Sequence, residues 1–445
     1  MQDASSPSPF SQRSTIVTLG VLIVGIVALF LPMMVHWQVA GDYTTHNDIA
    51  AGVLNDPAEF YRNVTHFIYN VSVALADVLL PSDVNTAAAW VMVACYVGLG
   101  VLIFWELLSR TGIGTGWQGQ VLLAGISILL LLIAPIFFFT GQNLYFGYFA
   151  PHVYHNPTVN IMKPFSVALF FVSVPLFLNS QPLSRWWIAP LALLTFLSLV
   201  AKPSFVLAFV PTLGLLTFAL IVYRFGDVWQ IIKRPLTLWQ TFTFRDPEDT
   251  KELPVLLRPT YINWSVLLGG IVIPSIAILL IQTITWTSSG GIGIDPFRVF
   301  FEWTLHYEPN ADKQIALKFV MSAGLPLVVY ALFVRDAVQS LLFNLAWLFY
   351  IVAALYAYLF VDYTVIAAGD FTWSSQIASL ILQIVAVIFG LARVRERYIR
   401  DGWSASLVAK TVASTVVFGL HVGAGIFWYY LHITQTFSDL IYVWW

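Results

Sequence analysis

Long apolar runs recur down the whole chain, parted by short polar stretches, and nothing else limits its fold so strongly. A helix needs about 20 apolar residues to cross the hydrocarbon core of a bilayer. On that rule, spans are expected near 15–37, 86–109, 119–139, 161–179, 186–201, 204–223, 262–286, 316–334, 338–361, 374–393 and 406–431. That makes eleven. The fifth is short, and only Lys202 and Pro203 separate it from the sixth. The two can form a broken or re-entrant pair, so ten or twelve crossings also fit. Of the 445 residues, 59% are hydrophobic and 10% charged, against about 25% charged in a soluble domain. The expected fold is an all-α polytopic membrane protein, with a disordered cytoplasmic tail at 1–14 and one transmembrane domain over 15–445.

Orientation follows from the basic residues. With the N-terminus cytoplasmic, fifteen of the 21 Lys and Arg fall on inner segments, and an odd number of spans leaves the C-terminus outside. The six outer ones are Arg62, Lys163, Lys202, Arg298, Lys313 and Lys318. The first apolar run is too long for a signal-peptide core and lacks a small-residue cleavage site, so it reads as a retained span. The inner connector 224–261 is mixed in charge and proline-rich. The stretch 392–403, ARVRERYIRDGW, reads as a basic turn beside the membrane. A net charge of −2 argues against a nucleic-acid partner. The single cysteine, Cys95, lies in an apolar run and cannot form an internal disulfide.

The outer loops carry the chemistry. Loop 38–85 holds Asp42, His46, Asp48, Asp56, Glu59 and His66 directly after the first span. Ionisable groups beside a membrane are costly unless they face water or a working cavity. Two amphipathic helices are expected there, roughly Asn47–Leu54 and Pro57–Leu80, the second from the spacing of Phe60, Val64, Phe67, Ile68, Val71 and Leu75. The other outer segments are 140–160, the Lys202–Pro203 turn, 287–315 and 362–373. Seven of the eight histidines fall on or near this side, all except His421. Either outer loops are simply where histidine is tolerated, or several share a polar cavity.

Asp42 and His46 stand four residues apart, so a helix there turns both the same way. A partly desolvated carboxylate can act as a general base, with Asp48 or His46 assisting; helix capping and plain solvation are the ordinary alternatives. Lys202 and Lys163 are cations at span ends, and Arg298 lies in outer segment 287–315; all three suit an anionic headgroup or snorkelling. His155 and Asn156, in HVYHNPTVNIMKPF, suit hydrogen bonding to a sugar or phosphate, or capping of the next helix. Asp370 and Trp373, in GDFTWSSQ, form the aromatic–carboxylate pair that sugars favour, or an interfacial anchor and cap. NVT at 63 and NVS at 70 are glycosylation sequons by pattern. No P-loop, HExxH, CxxC or GxSxG occurs, and no internal or inverted repeat stands out.

The long first outer loop, the acidic residue after the first span in GDYTTH, and the segments HNPTVNIMKPF and LVAKPSF together resemble the GT-C superfamily of membrane glycosyltransferases. The likeness covers the whole chain in topology and about 40 residues in motif. It differs from members with an Asp-Glu pair, because Tyr43 follows Asp42. It also lacks the soluble C-terminal domain of oligosaccharyltransferases. The resemblance implies an inverting transfer from a polyprenyl-phosphate sugar to an acceptor hydroxyl, at the outer face of the plasma (inner) membrane. On that reading Asp42, with His46 or Asp48, is the base; Lys202, Arg298 and Lys163 hold the donor phosphate. No cofactor is required, no metal site is assigned, and a divalent ion remains possible. The competing readings are a lipid-linked glycan flippase and a non-catalytic membrane subunit.

Overall fold

The computed structural model describes residues 9–53, 56–57, 66–80, 82–137, 148–178, 183–223, 263–285, 292–299, 314–363 and 371–434. The protein is mostly helical. Among the described residues, seven helices are long and apolar enough to cross a membrane: Arg13–Trp37, Val84–Thr111, Pro157–Phe177, Trp264–Thr285, Leu341–Leu359, Thr372–Asp401 and Ala405–Thr434. An eighth forms if Ile315–Ser322 and Gly324–Leu332, bent by 67° at their junction, count as one. Trp117–Leu130, Arg185–Ala201 and Ser204–Leu220 are apolar but shorter.

In chain order the helices are α1 (Pro9–Trp37), α2 (Asp42–Val53), α3 (Ile68–Leu79), α4 (Val84–Thr111), α5 (Trp117–Leu130), α6 (Pro157–Ser173), α7 (Ile188–Ala201) and α8 (Ser204–Tyr223). Then come α9 (Trp264–Thr285), α10 (Ile315–Ser322), α11 (Gly324–Leu332), α12 (Leu341–Leu359), α13 (Thr372–Asp401) and α14 (Ala405–Thr434). Local chemistry sets several ends. The Asp83 carboxylate caps α4 by accepting from the amides of Asn85 and Thr86, and Gly112, at φ +66°, ends it. Asn156 caps α6, with Pro157 in the first turn. α1 packs on α4 and α5, α4 on α6, α6 on α7, and α13 on α12. The buried core runs continuously through these contacts.

Several expectations change. The tail residues from Pro9 onward belong to α1. The helix expected to Leu80 begins at Ile68, because His66 and Phe67 are not helical. The stretch 392–401 is not a turn but the end of α13. It is propagated by good helix formers and by pairing of Arg397 with Asp336 at 2.5 Å, and Gly402, at φ +68°, stops it. A two-stranded ribbon appears in the all-α frame, with β1 (Ile292–Ile294) antiparallel to β2 (Phe360–Asp362). Residues 224–262, with the whole of the inner connector, lie outside the described residues.

Two spans are broken where the sequence reads as continuous. α5 stops at Leu130, and 131–137 runs on without helix. Irregular backbone survives at membrane depth only when protein satisfies its polar groups. Here the amide of Ala134 donates to the carbonyl of His421 (3.2 Å), and that of Ile136 to Met321 (3.2 Å). The His421 imidazole closes both breaks at once. Its Nδ1 donates to the Ala134 carbonyl (2.6 Å), and its Nε2 accepts the Leu325 amide (3.1 Å). Gln383 Nε2 donates to the carbonyl of Ser322, beside the second break (2.9 Å). α14 can pass this close because residue 425 is glycine; a Cβ there would lie 1.6 Å from the Leu132 carbonyl oxygen.

Candidate functional site

One irregular segment, residues 148–156, threads the bundle and meets charged side chains at three points, Lys318, Lys163 and Asp42. The Lys318 ammonium lies over the Tyr148 ring at 5.2 Å. The Phe149 amide donates to the Ser322 hydroxyl (3.0 Å). His152 Nε2 donates to the Leu130 carbonyl (2.9 Å), which leaves Nδ1 to accept from the Lys163 ammonium (3.5 Å). At the far end, Asn156 Nδ2 donates to Asp42 Oδ2 at 2.7 Å, while its Oδ1 accepts from the Val159 amide. Capping α6 and holding Asp42 are therefore joint tasks of one side chain.

Asp42 opens α2, where a negative charge suits the helix dipole, and is half-buried. Its helix is anchored by Asn47, whose amide donates to Gln38 Oε1 and Asn85 Oδ1 and accepts the Tyr69 hydroxyl (2.7 Å). His46 is half-buried one turn on, with Nδ1 buried and without a hydrogen-bond partner. Burial first, and then the charge of Lys202, pull its imidazole down to about 4. His46 is thus neutral near pH 7 and stands within electrostatic reach of Lys202.

Lys202 is buried between α7 and α8, its backbone extended and its ammonium 5.3 Å from the Trp373 ring. Trp373 lies in the first turn of α13 and faces the His155 ring at 6.5 Å. His155 also meets Trp37, at 6.4 Å. Burial first, then His432 and Lys163, pull His155 down to about 3, so it too is neutral near pH 7. Asp42, His46, Asn156, His155, Lys202 and Trp373 therefore come together from four places in the chain.

The remaining candidates fall elsewhere. Asp48 is exposed and six residues beyond Asp42, on a different face of α2. Lys163 is 1% exposed and turned inward, donating to Asn160 Oδ1 at 2.8 Å. Arg298 is exposed beyond β1. Its segment is fastened by amides 295 and 297 to the carbonyls of Leu359 and Tyr358, and Tyr358 stands against Phe149, at the opposite end of the threaded segment from Asn156. Asp370 lies outside the described residues, as do Glu59 and the NVT sequon at 63. Asn70 of the second sequon is fully buried and donates to the His46 carbonyl.

No model of a known protein family matches the chain, and no curated protein matches it. Among the described residues, no group of three or more His, Cys, Asp and Glu is placed to hold a metal ion.

Sequence reasoning missed the support beneath the site. Asn160 accepts from Tyr96 and Lys163 and donates toward Tyr43 and the Tyr154 carbonyl. The spacing of Asn156 and Asn160, one turn apart in NPTVN, is the only local hint. Lys318, one of the six basic residues expected on outer segments, is fully buried on α10.

Proposed function

We propose that the chain is a membrane-embedded glycosyltransferase of the GT-C kind, moving a sugar from a polyprenyl phosphate to an acceptor hydroxyl at the outer face of the plasma membrane. One observation carries the reading: a carboxylate held by an amide, a neutral imidazole, and a buried lysine on an indole converge from distant segments. Glycosyl transfer needs those three functions: a base, a proton-handling neighbour, and a cation for the leaving phosphate.

In this scheme the acceptor oxygen attacks the anomeric carbon as its proton passes to Asp42. The bond from that carbon to the phosphate oxygen breaks, the electron pair leaves with the lipid phosphate, and the anomeric centre inverts. Asn156 fixes the carboxylate. His46, being neutral, can orient the acceptor hydroxyl or relay its proton. Lys202 offsets the leaving charge. Trp373 and His155 offer ring faces to the sugar. No redox cofactor is called for, and a divalent ion can share the task of Lys202. The membrane lipid and a glycan or lipid acceptor are the partners.

Eleven crossings, cytoplasmic N-terminus and outer C-terminus, form the proposed topology: the seven long helices, the bent pair, and three of the four shorter apolar helices, Trp117–Leu130, Arg185–Ala201 and Ser204–Leu220. The flippase alternative asks for an ionisable path through the interior. His421 and Gln383, two of the interior polar groups, are instead engaged at the helix breaks. The test is turnover of radiolabelled lipid-linked sugars by membranes containing the wild type or Asp42→Asn. Transfer by the wild type and none by an equally expressed variant is expected. Full activity in the variant removes Asp42 from the mechanism, and movement of the lipid across the bilayer without transfer favours the flippase.

A further inference from the structure

Just inside the candidate site, α13 carries Gln376, Ser379 and Gln383 at i, i+3 and i+7, which places them on one helix face. They are 6%, 1% and 1% exposed. Gln376 Oε1, Ser379 Oγ and Gln383 Oε1 are each buried without a hydrogen-bond partner. The orientation of Gln383 is fixed, because its Nε2 donates to the Ser322 carbonyl and Oε1 is left open. Buried polar atoms are nearly always paired, and lipid supplies no donors. Three open acceptors in register on one face mark a place built for something that donates hydrogen bonds.

The face begins one turn below Trp373 and extends about 10 Å inward. The open atoms ask either for a cation or for neutral donors. Charge decides between them. The three acceptors are neutral, and a cation buried among neutral groups without a counter-charge keeps a desolvation penalty of several kcal/mol that hydroxyls do not carry. Hydroxyl groups are the remaining match.

We propose that this face of α13 is a buried hydroxyl-binding subsite continuous with the candidate site, filled by O–H groups of ordered water or of carbohydrate. The carbohydrate source rests on the glycosyltransferase reading; the water source does not.

The sign of a stability change tests it. If the acceptors are dry, replacing them with apolar groups of similar size removes a penalty and stabilises the protein. If hydroxyls fill the face, the same changes remove partners. Thermal unfolding of purified protein in nanodiscs is compared for the wild type, Ser379→Ala, and Ser379→Ala with Gln376→Leu. Gln383 is kept because it serves the helix break. Neither variant is expected to melt above the wild type. A rise of about 2 °C or more in either overturns the subsite, and Ser379→Ala alone carries the comparison if the double variant fails to fold. Glucose, galactose and mannose, each added at high millimolar concentration, separate the sources. A hexose that raises the melting temperature of the wild type but not of the double variant identifies carbohydrate. Without a hexose effect, radiolytic hydroxyl footprinting that oxidises side chains flanking Ser379 identifies water. If neither signal is seen, the proposal is overturned.

Discussion

Replacing Asn156 by aspartate tests the contact that joins α2 to α6. The cap survives, because aspartate caps a helix as well as asparagine does. The contact with Asp42 reverses: the amide that donated across 2.7 Å becomes a second carboxylate. The lost charge-assisted bond is worth about 1.5–3 kcal/mol. Two like charges about 4 Å apart add repulsion of about 4 kcal/mol at an effective dielectric of about 20. The pair can escape by binding one proton. For an ordinary carboxyl that costs about 4 kcal/mol at pH 7 and about 1.5 kcal/mol at pH 5. Protonation therefore sets the ceiling, and it also restores a shared hydrogen bond. Asn156→Asp is expected to lose about 3–4 kcal/mol at neutral pH and roughly half of that or less at pH 5. Thermal unfolding at both pH values, each referenced to the wild type at the same pH, measures the difference. Equal losses at the two pH values, or none at neutral pH, refute the reasoning. Asn156→Ala is the control: it loses cap and contact together, with no such pH dependence.

Three further outcomes are expected. His421→Leu strands one buried carbonyl and one buried amide at the helix breaks, at about 1–3 kcal/mol each, so its melting temperature falls sharply, and an unchanged value discards the stapling role. Gly425→Ala drives a methyl group into the Leu132 carbonyl and is expected to cut the yield of folded protein in size-exclusion chromatography, whereas Gly419→Ala, with open space around it, leaves the yield unaltered. His46 and His155, drawn down to about 4 and about 3, stay neutral in the fold while the unfolded chain protonates near its ordinary value of about 6.5. The unfolded state then binds more protons, so stability is complete above about pH 6.5 and declines as the pH drops toward 4; His155→Gln should flatten that decline.

Much of the frame was legible along the chain. Hydropathy located the long helices, because each apolar residue contributes wherever it sits in its own helix. That Asp42 and His46 share one face of a helix followed from spacing alone. The breaks at Leu130 and Ala323 were not legible, since the apolar character of 119–139 and 316–334 continues through them. They depend on His421, whose ring comes from a helix nearly 300 residues beyond Ala134. The three candidate cations Lys202, Lys163 and Arg298 look alike in sequence, yet one lies on the Trp373 ring, one is turned into a polar core, and one is exposed at the other end of the threaded segment.

By itself the sequence determined long apolar helices of the kind that fit a membrane, parted by shorter polar stretches. Transfer from water to lipid is additive over residues, so composition and run length suffice for that. Only the tertiary structure decided which polar groups face one another. An amide on a carboxylate, or an ammonium on an indole, is set by the packing of several helices at once, and no single stretch of chain encodes that distance.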